Sequence, residues 1–131
     1  MSGGAASRNK GARFQRLVRS FFEGRGWEAI VRQPGEAGED IRLFEAPWLS
    51  VECKGHAKTD LAGWMRQAKE QAGRRIPVVV FNRVGVGDPG RQWALMELSD
   101  FELLVRRAAG SWAPDATPAA APTPASASPG A

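Results

Sequence analysis

Hydrophobic positions in the first quarter of the chain recur at intervals of three and four residues. The recurring positions are Phe14, Leu17, Val18, Phe21 and Phe22. This spacing places the side chains on one stripe of an amphipathic helix. Glycines at positions 24 and 26 follow the stripe and predict the end of the helix. The chain therefore begins with a helix whose apolar side can cover a sheet.

Short segments rich in β-branched and aromatic residues follow this helix and predict three strands. The predicted strands are Trp27–Arg32, Ile41–Phe44 and Trp48–Lys54. A turn-rich segment, Pro34–Gly38, separates the first two strands. Only Glu45–Pro47 joins the second strand to the third, which is typical of an antiparallel hairpin.

The second half of the chain alternates between helical and extended patterns. A helix is predicted over Asp60–Ala72, and Pro77–Phe81 is a continuous apolar run, typical of a strand buried on both faces. A glycine-rich loop, Val84–Arg91, leads to a strand over Trp93–Leu98. Ser99–Glu102 has the spacing of a capping box and predicts the start of a last helix. This order of elements predicts an α/β fold with a mixed sheet and helices packed on it.

The composition changes abruptly after residue 112. Residues 113–131 contain eight alanines, five prolines and a single charge. Such a segment has nothing large to bury, and proline interrupts both helix and sheet. We therefore predict a flexible N-terminus over residues 1–7, a folded domain over residues 8–112 and an Ala/Pro-rich disordered tail over residues 113–131.

The net charge of +4 is concentrated near the start of the chain. Residues 1–34 carry seven cations and two anions, whereas the other 97 residues carry eleven cations and twelve anions. A basic segment of this size permits nucleic-acid binding without proving it.

The single cysteine, Cys53, excludes an internal disulfide and argues against a cysteine-based zinc site. A lone thiol suits a reducing compartment, so we expect a cytoplasmic protein. No stretch approaches the ~18 apolar residues of a membrane span, and we expect no secretory signal.

Charged residues converge at the predicted hairpin. Alternate side chains of a strand share a face, so Glu52 and Lys54 face one side while Val51 and Cys53 face the core. Asp40 precedes the first strand of the hairpin and can approach Glu52 across it. Two converging carboxylates suit Mg²⁺ or Mn²⁺ when a substrate phosphate completes the shell. Lysine beside them can hold a water or stabilise developing charge.

The simpler interpretation is an exposed Glu52–Lys54 ion pair of little energetic value. A Glu-x-Lys triplet is common by chance, so the spacing alone favours that interpretation. The strand context, the upstream Asp40 and the basic helix that precedes them favour a catalytic site.

These features resemble the PD-(D/E)xK nuclease superfamily, whose motif matches Asp40…Glu52-x-Lys54 on a β-hairpin. Further segments resemble archaeal-type Holliday junction resolvases and their phage relatives. Those segments are Lys10–Arg16, Gly26–Arg32, Trp64–Ala68 and Pro77–Phe81. The similarity covers about residues 8–107, and it implies a restriction-endonuclease-like mixed sheet flanked by helices. The motif itself is degenerate, whereas its order across three elements is more specific.

The resemblance assigns roles by position. It implies that Asp40 and Glu52 bind Mg²⁺ or Mn²⁺, that the backbone carbonyl of Cys53 is a further ligand, and that Lys54 is the catalytic lysine. Gln67 of the second predicted helix resembles a glutamine that nucleases of this superfamily place near the metal site.

Two positions depart from the family pattern. Glu39 stands before the motif aspartate in place of proline and could supply a third acid. Gln15 stands on the first helix where the family usually has a catalytic glutamate. A neutral amide binds hard cations more weakly than a carboxylate, so the number of metal ions, one or two, stays open.

Five cations are candidates for DNA contact: Lys10, Arg13, Arg16, Arg32 and Arg42. The first three flank the apolar stripe of the first helix, and the other two lie near the proposed site. Contact with phosphates would make DNA binding sensitive to salt. A solvated helix face is the alternative for each helix residue.

The sequence thus predicts a Mg²⁺-dependent endodeoxyribonuclease. The resemblance favours a Holliday junction resolvase that acts in DNA recombination or repair, as a homodimer, in the cytoplasm of a bacterial or phage-infected cell. Two alternatives stay open. One is a nuclease of the same fold that cuts flaps, ends or plain duplex, and the other is a non-catalytic DNA-binding module.

Overall fold

The computed structural model describes residues 2–32, 40–55 and 58–111, so Glu39 and the predicted tail lie outside the described residues. Within these ranges the chain forms three α-helices and five strands. They are α1 (Ser2–Gly24), β1 (Ala29–Val31), β2 (Ile41–Leu43), β3 (Leu49–Lys54), α2 (Leu61–Ala72), β4 (Ile76–Phe81), β5 (Trp93–Leu95) and α3 (Leu98–Ser111). The predicted order of elements is confirmed. None of the helices in the described ranges is long and apolar enough to cross a membrane.

The five strands form one mixed sheet in the order β1-β2-β3-β4-β5. Strands β3 and β4 are parallel and are connected through α2, whereas the other neighbouring strands are antiparallel. A parallel pair needs such a crossover, and the helix that forms it packs on the sheet. The predicted α/β class is therefore confirmed, and so is the β2–β3 hairpin.

Buried apolar side chains form two clusters on opposite faces of the sheet. The first joins α1 to β2 and β3 through Phe14, Val18, Ile41, Leu43, Ala46, Val51 and Cys53. The second joins α2 to β4 through Trp64, Ala68 and Val79. Val80 packs against the first cluster although its neighbour Val79 belongs to the second. Because adjacent residues of a strand face opposite sides, α1 and α2 cover opposite faces.

Helix α2 has defined signals at both ends. The side-chain Oδ1 of Asp60 accepts a hydrogen bond from the backbone N–H of Gly63 at 3.1 Å, which satisfies one of the free donors of the first turn. Gly73 ends the helix with a φ of 62°, a left-handed conformation that glycine adopts without steric cost. The predicted helix over residues 60–72 is confirmed.

Contacts divide the chain into two units, residues 1–96 and residues 97–131. The first contains the sheet with α1 and α2, and α3 lies in the second. Strand β5 ends at Leu95, earlier than predicted, and α3 begins at Leu98, so Ser99 lies within the first turn and does not cap it. Glu102 forms an ion pair with Arg106 one turn further on, at 2.5 Å. The predicted capping box is therefore wrong, because the helix starts two residues earlier than a cap at Ser99 requires.

Candidate functional site

The register of the β2–β3 hairpin brings two acidic residues opposite each other. Ile41 of β2 pairs with Val51 of β3. The next pair along this antiparallel ladder is Asp40 with Glu52, on the face opposite to Ile41 and Val51. Asp40 is 8% exposed and Glu52 is 4% exposed. The hairpin therefore brings the two carboxylates side by side, as its sequence predicts, and the structure buries both.

Hydrogen bonds to neighbouring strands hold the Asp40 carboxylate in place. Its Oδ1 accepts from Nη2 of Arg32 at 2.7 Å, and its Oδ2 accepts from the backbone N–H of Cys53 at 2.9 Å. Arg32 follows β1, and Cys53 belongs to β3. Asp40 is thus tied to the strands on both sides of β2.

The backbone carbonyl of Asp40 has two donors of its own. Gln15 of α1 donates from Nε2 at 2.9 Å, and the N–H of Arg32 donates at 3.1 Å. Gln15 therefore does reach the site, but its amide nitrogen bonds the main chain of Asp40. A glutamate at this position would present only oxygen atoms, which accept and cannot make this bond.

The buried carboxylate of Glu52 is only partly compensated by neighbouring positive charge. No hydrogen-bond partner is present for its Oε1 among the described residues, and that atom is buried. Its Oε2 lies 3.9 Å from Nζ of Lys54. Burial, together with the Asp40 carboxylate, raises the pKa of Glu52 to about 7 against the lowering effect of Lys54, Arg32 and a backbone hydrogen bond from Asp40. Additional positive charge at this position would stabilise the ionised form.

Lys54 is positioned by α2. Its ammonium donates to Oε1 of Gln67 at 2.5 Å, in addition to the longer contact with Glu52. Gln67 extends from the helix that covers this face of the sheet. The ammonium of Lys54 is therefore held between the carboxylate of Glu52 and the amide oxygen of Gln67.

Cys53 contributes its backbone to this site. Its side chain belongs to the apolar cluster under α1, where burial raises the pKa of the thiol well above its ordinary value. Its N–H points to Asp40. In a strand the N–H and C=O of one residue point to the same side, so the Cys53 carbonyl also faces the β2 side of β3.

The donor set is compatible with a hard divalent cation. It contains the unpartnered Oε1 of Glu52, the carboxylate of Asp40 and the backbone carbonyl of Cys53, all oxygen ligands of the kind that Mg²⁺ and Mn²⁺ take. The raised pKa of Glu52 fits a buried carboxylate whose charge Lys54 and Arg32 offset only in part. In the described part of the chain no group of three acidic, histidine or cysteine side chains is arranged so that side chains alone could hold a metal ion.

An open groove of about 690 Å³ reaches Gly55, the residue that follows Lys54. It lies between α1 and the residues that follow β3 and β4, and it is lined by Arg13, Phe14, Arg16, Leu17, Ser20, Gly55 and Asn82. The lining combines two arginines and an asparagine with the apolar residues Phe14 and Leu17. Such a lining suits a ligand with phosphate groups and flat apolar parts.

The structure separates the predicted DNA-contacting cations into three groups. Arg13 and Arg16 line the groove, and Lys10 lies in α1. Arg42 is exposed on the same face of β2 as Asp40, two residues along the strand. Arg32 forms an ion pair with Asp40.

Sequence reasoning missed this ion pair, and it missed the groove residues Ser20, Gly55 and Asn82. The pairing of Arg32 with Asp40 continues the β1–β2 register, in which Val31 pairs with Ile41. The sequence does not reveal this register, because many pairings of the two strands are possible across the loop that joins them. No sequence signal points to the groove residues, because helix rotation and strand ends bring them together.

Comparison with known proteins identifies no relative: no family model, no curated protein and no solved structure matches the chain.

Proposed function

We propose that this chain is a metal-dependent DNA endonuclease of the PD-(D/E)xK type. The observation that carries the proposal is a buried pair of carboxylates on one hairpin, Asp40 and Glu52, with Lys54 held beside them by Gln67. Burying two carboxylates together is unfavourable unless a cation or a proton compensates them. In a purely structural ion pair, both oxygens of the buried carboxylate would have partners. Oε1 of Glu52 has none among the described residues.

The residues of the site have separable tasks. Asp40, Glu52 and the Cys53 carbonyl would hold Mg²⁺ or Mn²⁺, which when bound would acidify a water and neutralise phosphate charge. Lys54 stabilises negative charge on the phosphate or orients the water, and Gln67 fixes its ammonium. Arg32 and Gln15 keep Asp40 in position from two further elements.

The preferred substrate is branched DNA, above all a four-way junction. The groove with Arg13 and Arg16 begins one residue after Lys54, so phosphates near the cleaved bond can be held by helix α1. A four-way junction is two-fold symmetric and needs two cuts, so we propose that the protein acts as a homodimer with one site per protomer. Flaps, ends and plain duplex are the competing DNA substrates of the same site.

A gel assay tests the activity. One labelled four-way junction and a duplex of matched sequence are incubated with the protein, with Mg²⁺ and with EDTA. We expect nicking of the junction with Mg²⁺ alone, and a fall of at least 100-fold in Glu52→Gln and in Lys54→Ala. Equal cutting of the duplex would favour a nuclease with another substrate.

Matched variants make this assay specific to the site. Glu70→Gln and Lys58→Ala remove the same charges from exposed positions outside the hairpin, and we expect both to retain activity. Circular dichroism establishes that each variant is folded. Wild-type activity in both Glu52→Gln and Lys54→Ala would refute the assignment of the site.

The second candidate is a non-catalytic DNA-binding module. It is favoured by the contacts of Asp40, because both of its carboxylate oxygens have protein donors and Gln15 replaces an acid. Calorimetric titration with Mn²⁺ separates the two. A nuclease binds Mn²⁺ and loses this binding in Glu52→Gln, whereas a binding module takes up no Mn²⁺ and binds DNA equally in EDTA.

A further inference from the structure

Strand register places two aromatic residues in a row with Lys54. Lys54 of β3 pairs with Phe81 of β4, and Phe81 pairs with Trp93 of β5. Residues paired in this way share one face of the sheet, here the face that carries Glu52. Neighbouring strands are about 4.8 Å apart, so the backbone of Trp93 lies about 10 Å from that of Lys54.

Trp93 is exposed and carries a cation on its ring. Its exposed fraction is 57%, which is high for a tryptophan in a strand. The guanidinium carbon of Arg83 lies 4.4 Å from the centroid of the indole, within the range of a cation–π contact. The ring of Phe81 also contacts Trp93. The two ring centroids are 6.2 Å apart, and the rings meet edge to face at 80°.

The loop between β4 and β5 holds Arg83 in this position. The N–H of Arg83 donates to Oε1 of Gln92 at 2.6 Å, and its Nη1 donates to the carbonyl of Arg91 at 3.0 Å. Gln92 in turn donates from Nε2 to the carbonyls of Val86 and Asp88 at 2.8 and 3.0 Å. The guanidinium is therefore ordered before any ligand arrives, which lowers the entropy that binding would cost.

We propose that Trp93 and Arg83 form a stacking platform for an unpaired nucleobase of the DNA strand that enters the site. The inference rests on the proposed function, since the platform lies on the face where Glu52 and Lys54 would act. A stacked strand advances about 3.4 Å per nucleotide, so a base on Trp93 is about three nucleotides from the phosphate at Lys54. A base inside a duplex is covered by its neighbours, whereas a base at a branch or in a single strand can stack here.

The chemistry of the surface favours a nucleobase over a protein partner. The guanidinium of Arg83 lies on the exposed indole of Trp93, so the surface combines a flat apolar ring with a positive charge. A flat aromatic ring beside a fixed positive charge matches a base with its phosphate, and stacking of this kind tolerates any base. The platform therefore selects unpaired DNA without reading its sequence.

Fluorescence anisotropy in EDTA measures binding without cleavage. The probes are a labelled single-stranded oligonucleotide, a duplex with a single-stranded flap and a blunt duplex of the same sequence. We expect Trp93→Ala to weaken binding of the first two about tenfold and of the blunt duplex less than twofold. Trp93→Phe restores most of the affinity, and the dependence of affinity on salt is unchanged in both variants.

Intrinsic fluorescence supplies a direct readout of stacking. Single-stranded DNA quenches part of the tryptophan emission of the wild type, and Trp93→Phe abolishes that part of the quenching. Phe44→Ala is the matched control, because Phe44 is a similarly exposed aromatic residue (61%) that directly follows strand β2. We expect this control to bind all three probes like the wild type.

Three results would overturn the platform while leaving the nuclease proposal intact. The first is unchanged affinity of Trp93→Ala for every probe. The second is an equal loss on all probes. The third is a shift from dimer to monomer on sedimentation of Trp93→Ala, which would make Trp93 a subunit contact. By contrast, a wild-type chain that binds no DNA would contradict the proposed function itself.

Discussion

At the scale of single residues, the site is defined by an imbalance of charge. Glu52 is buried next to another carboxylate, and the nearest cation, Lys54, is shared with Gln67. Arg32 is directed to Asp40 at 2.7 Å. The two acids therefore differ: Asp40 has partners for both oxygens, whereas Glu52 takes a proton more readily than an ordinary carboxyl group.

This imbalance predicts a pH dependence of stability. The pKa of Glu52 is about 7 in the folded chain and 4.5 ordinarily, so the folded state binds the proton more tightly than the unfolded state. The resulting stabilisation is complete below about pH 4.5 and is lost as the pH rises through about 7. We expect the free energy of unfolding, measured in urea, to fall by about 1–3 kcal/mol over this interval.

Variants isolate this contribution from that of other carboxyl groups. Glu52→Gln mimics the protonated form, so the difference between wild type and variant should grow from pH 5 to pH 7.5. Glu102→Gln, an exposed carboxylate of α3, should leave the pH profile parallel to that of the wild type. Parallel profiles for Glu52→Gln as well would show that Glu52 titrates normally.

At the scale of elements, α2 links the stability of the fold to the geometry of the site. The helix packs on β4 through Trp64 and Ala68 and presents Gln67 to Lys54. Its start depends on Asp60, which bonds the N–H of Gly63. Fraying of this first turn would loosen the helix that positions Lys54.

Removing the cap should therefore have a measurable cost. We expect Asp60→Ala to lower the free energy of unfolding by about 1 kcal/mol, because a donor of the first turn loses its partner. Asp60→Asn keeps an accepting oxygen at the same place and should stay within a few tenths of a kcal/mol of the wild type. Thermal denaturation measures both, and equal melting temperatures for all three proteins would contradict the role of the cap.

At the scale of the whole chain, the distribution of charge relates to the proposed DNA surface. The excess of cations lies in the first 34 residues, and α1 brings two of them, Arg13 and Arg16, to the groove beside Lys54. The acidic residues of the site lie on the hairpin. The modest net charge of +4 therefore understates the positive potential along the groove.

The dependence of DNA affinity on salt tests this surface. A plot of log K against log salt has a slope that grows with the number of phosphates neutralised. We expect Arg13→Ala and Arg16→Ala each to reduce that slope by about 1, and Arg106→Ala in α3 to leave it unchanged. Slopes equal to the wild type in all three variants would exclude the groove from DNA contact.

Local sequence patterns were sufficient to predict most of the fold and the central residues of the site. Helical spacing in α1 and α2, and alternation in β2 and β3, required only residues close in sequence, because each element buries one face or both. The same period of two placed Glu52 and Lys54 together and set them apart from Cys53. Element ends were harder to predict: β5 is shorter than expected and α3 starts at Leu98, since small differences in local free energy decide where helices and strands end.

The sequence by itself thus determined the order of elements, the α/β class and the convergence of Asp40, Glu52 and Lys54. Only the tertiary structure decided that Arg32 and Gln15 contact Asp40, that Gln67 holds Lys54, and that Glu52 has a raised pKa. It alone placed Trp93 in a row with Lys54. The physical reason is range: periodicity acts within one element, whereas these contacts depend on strand register and helix rotation between elements far apart in sequence.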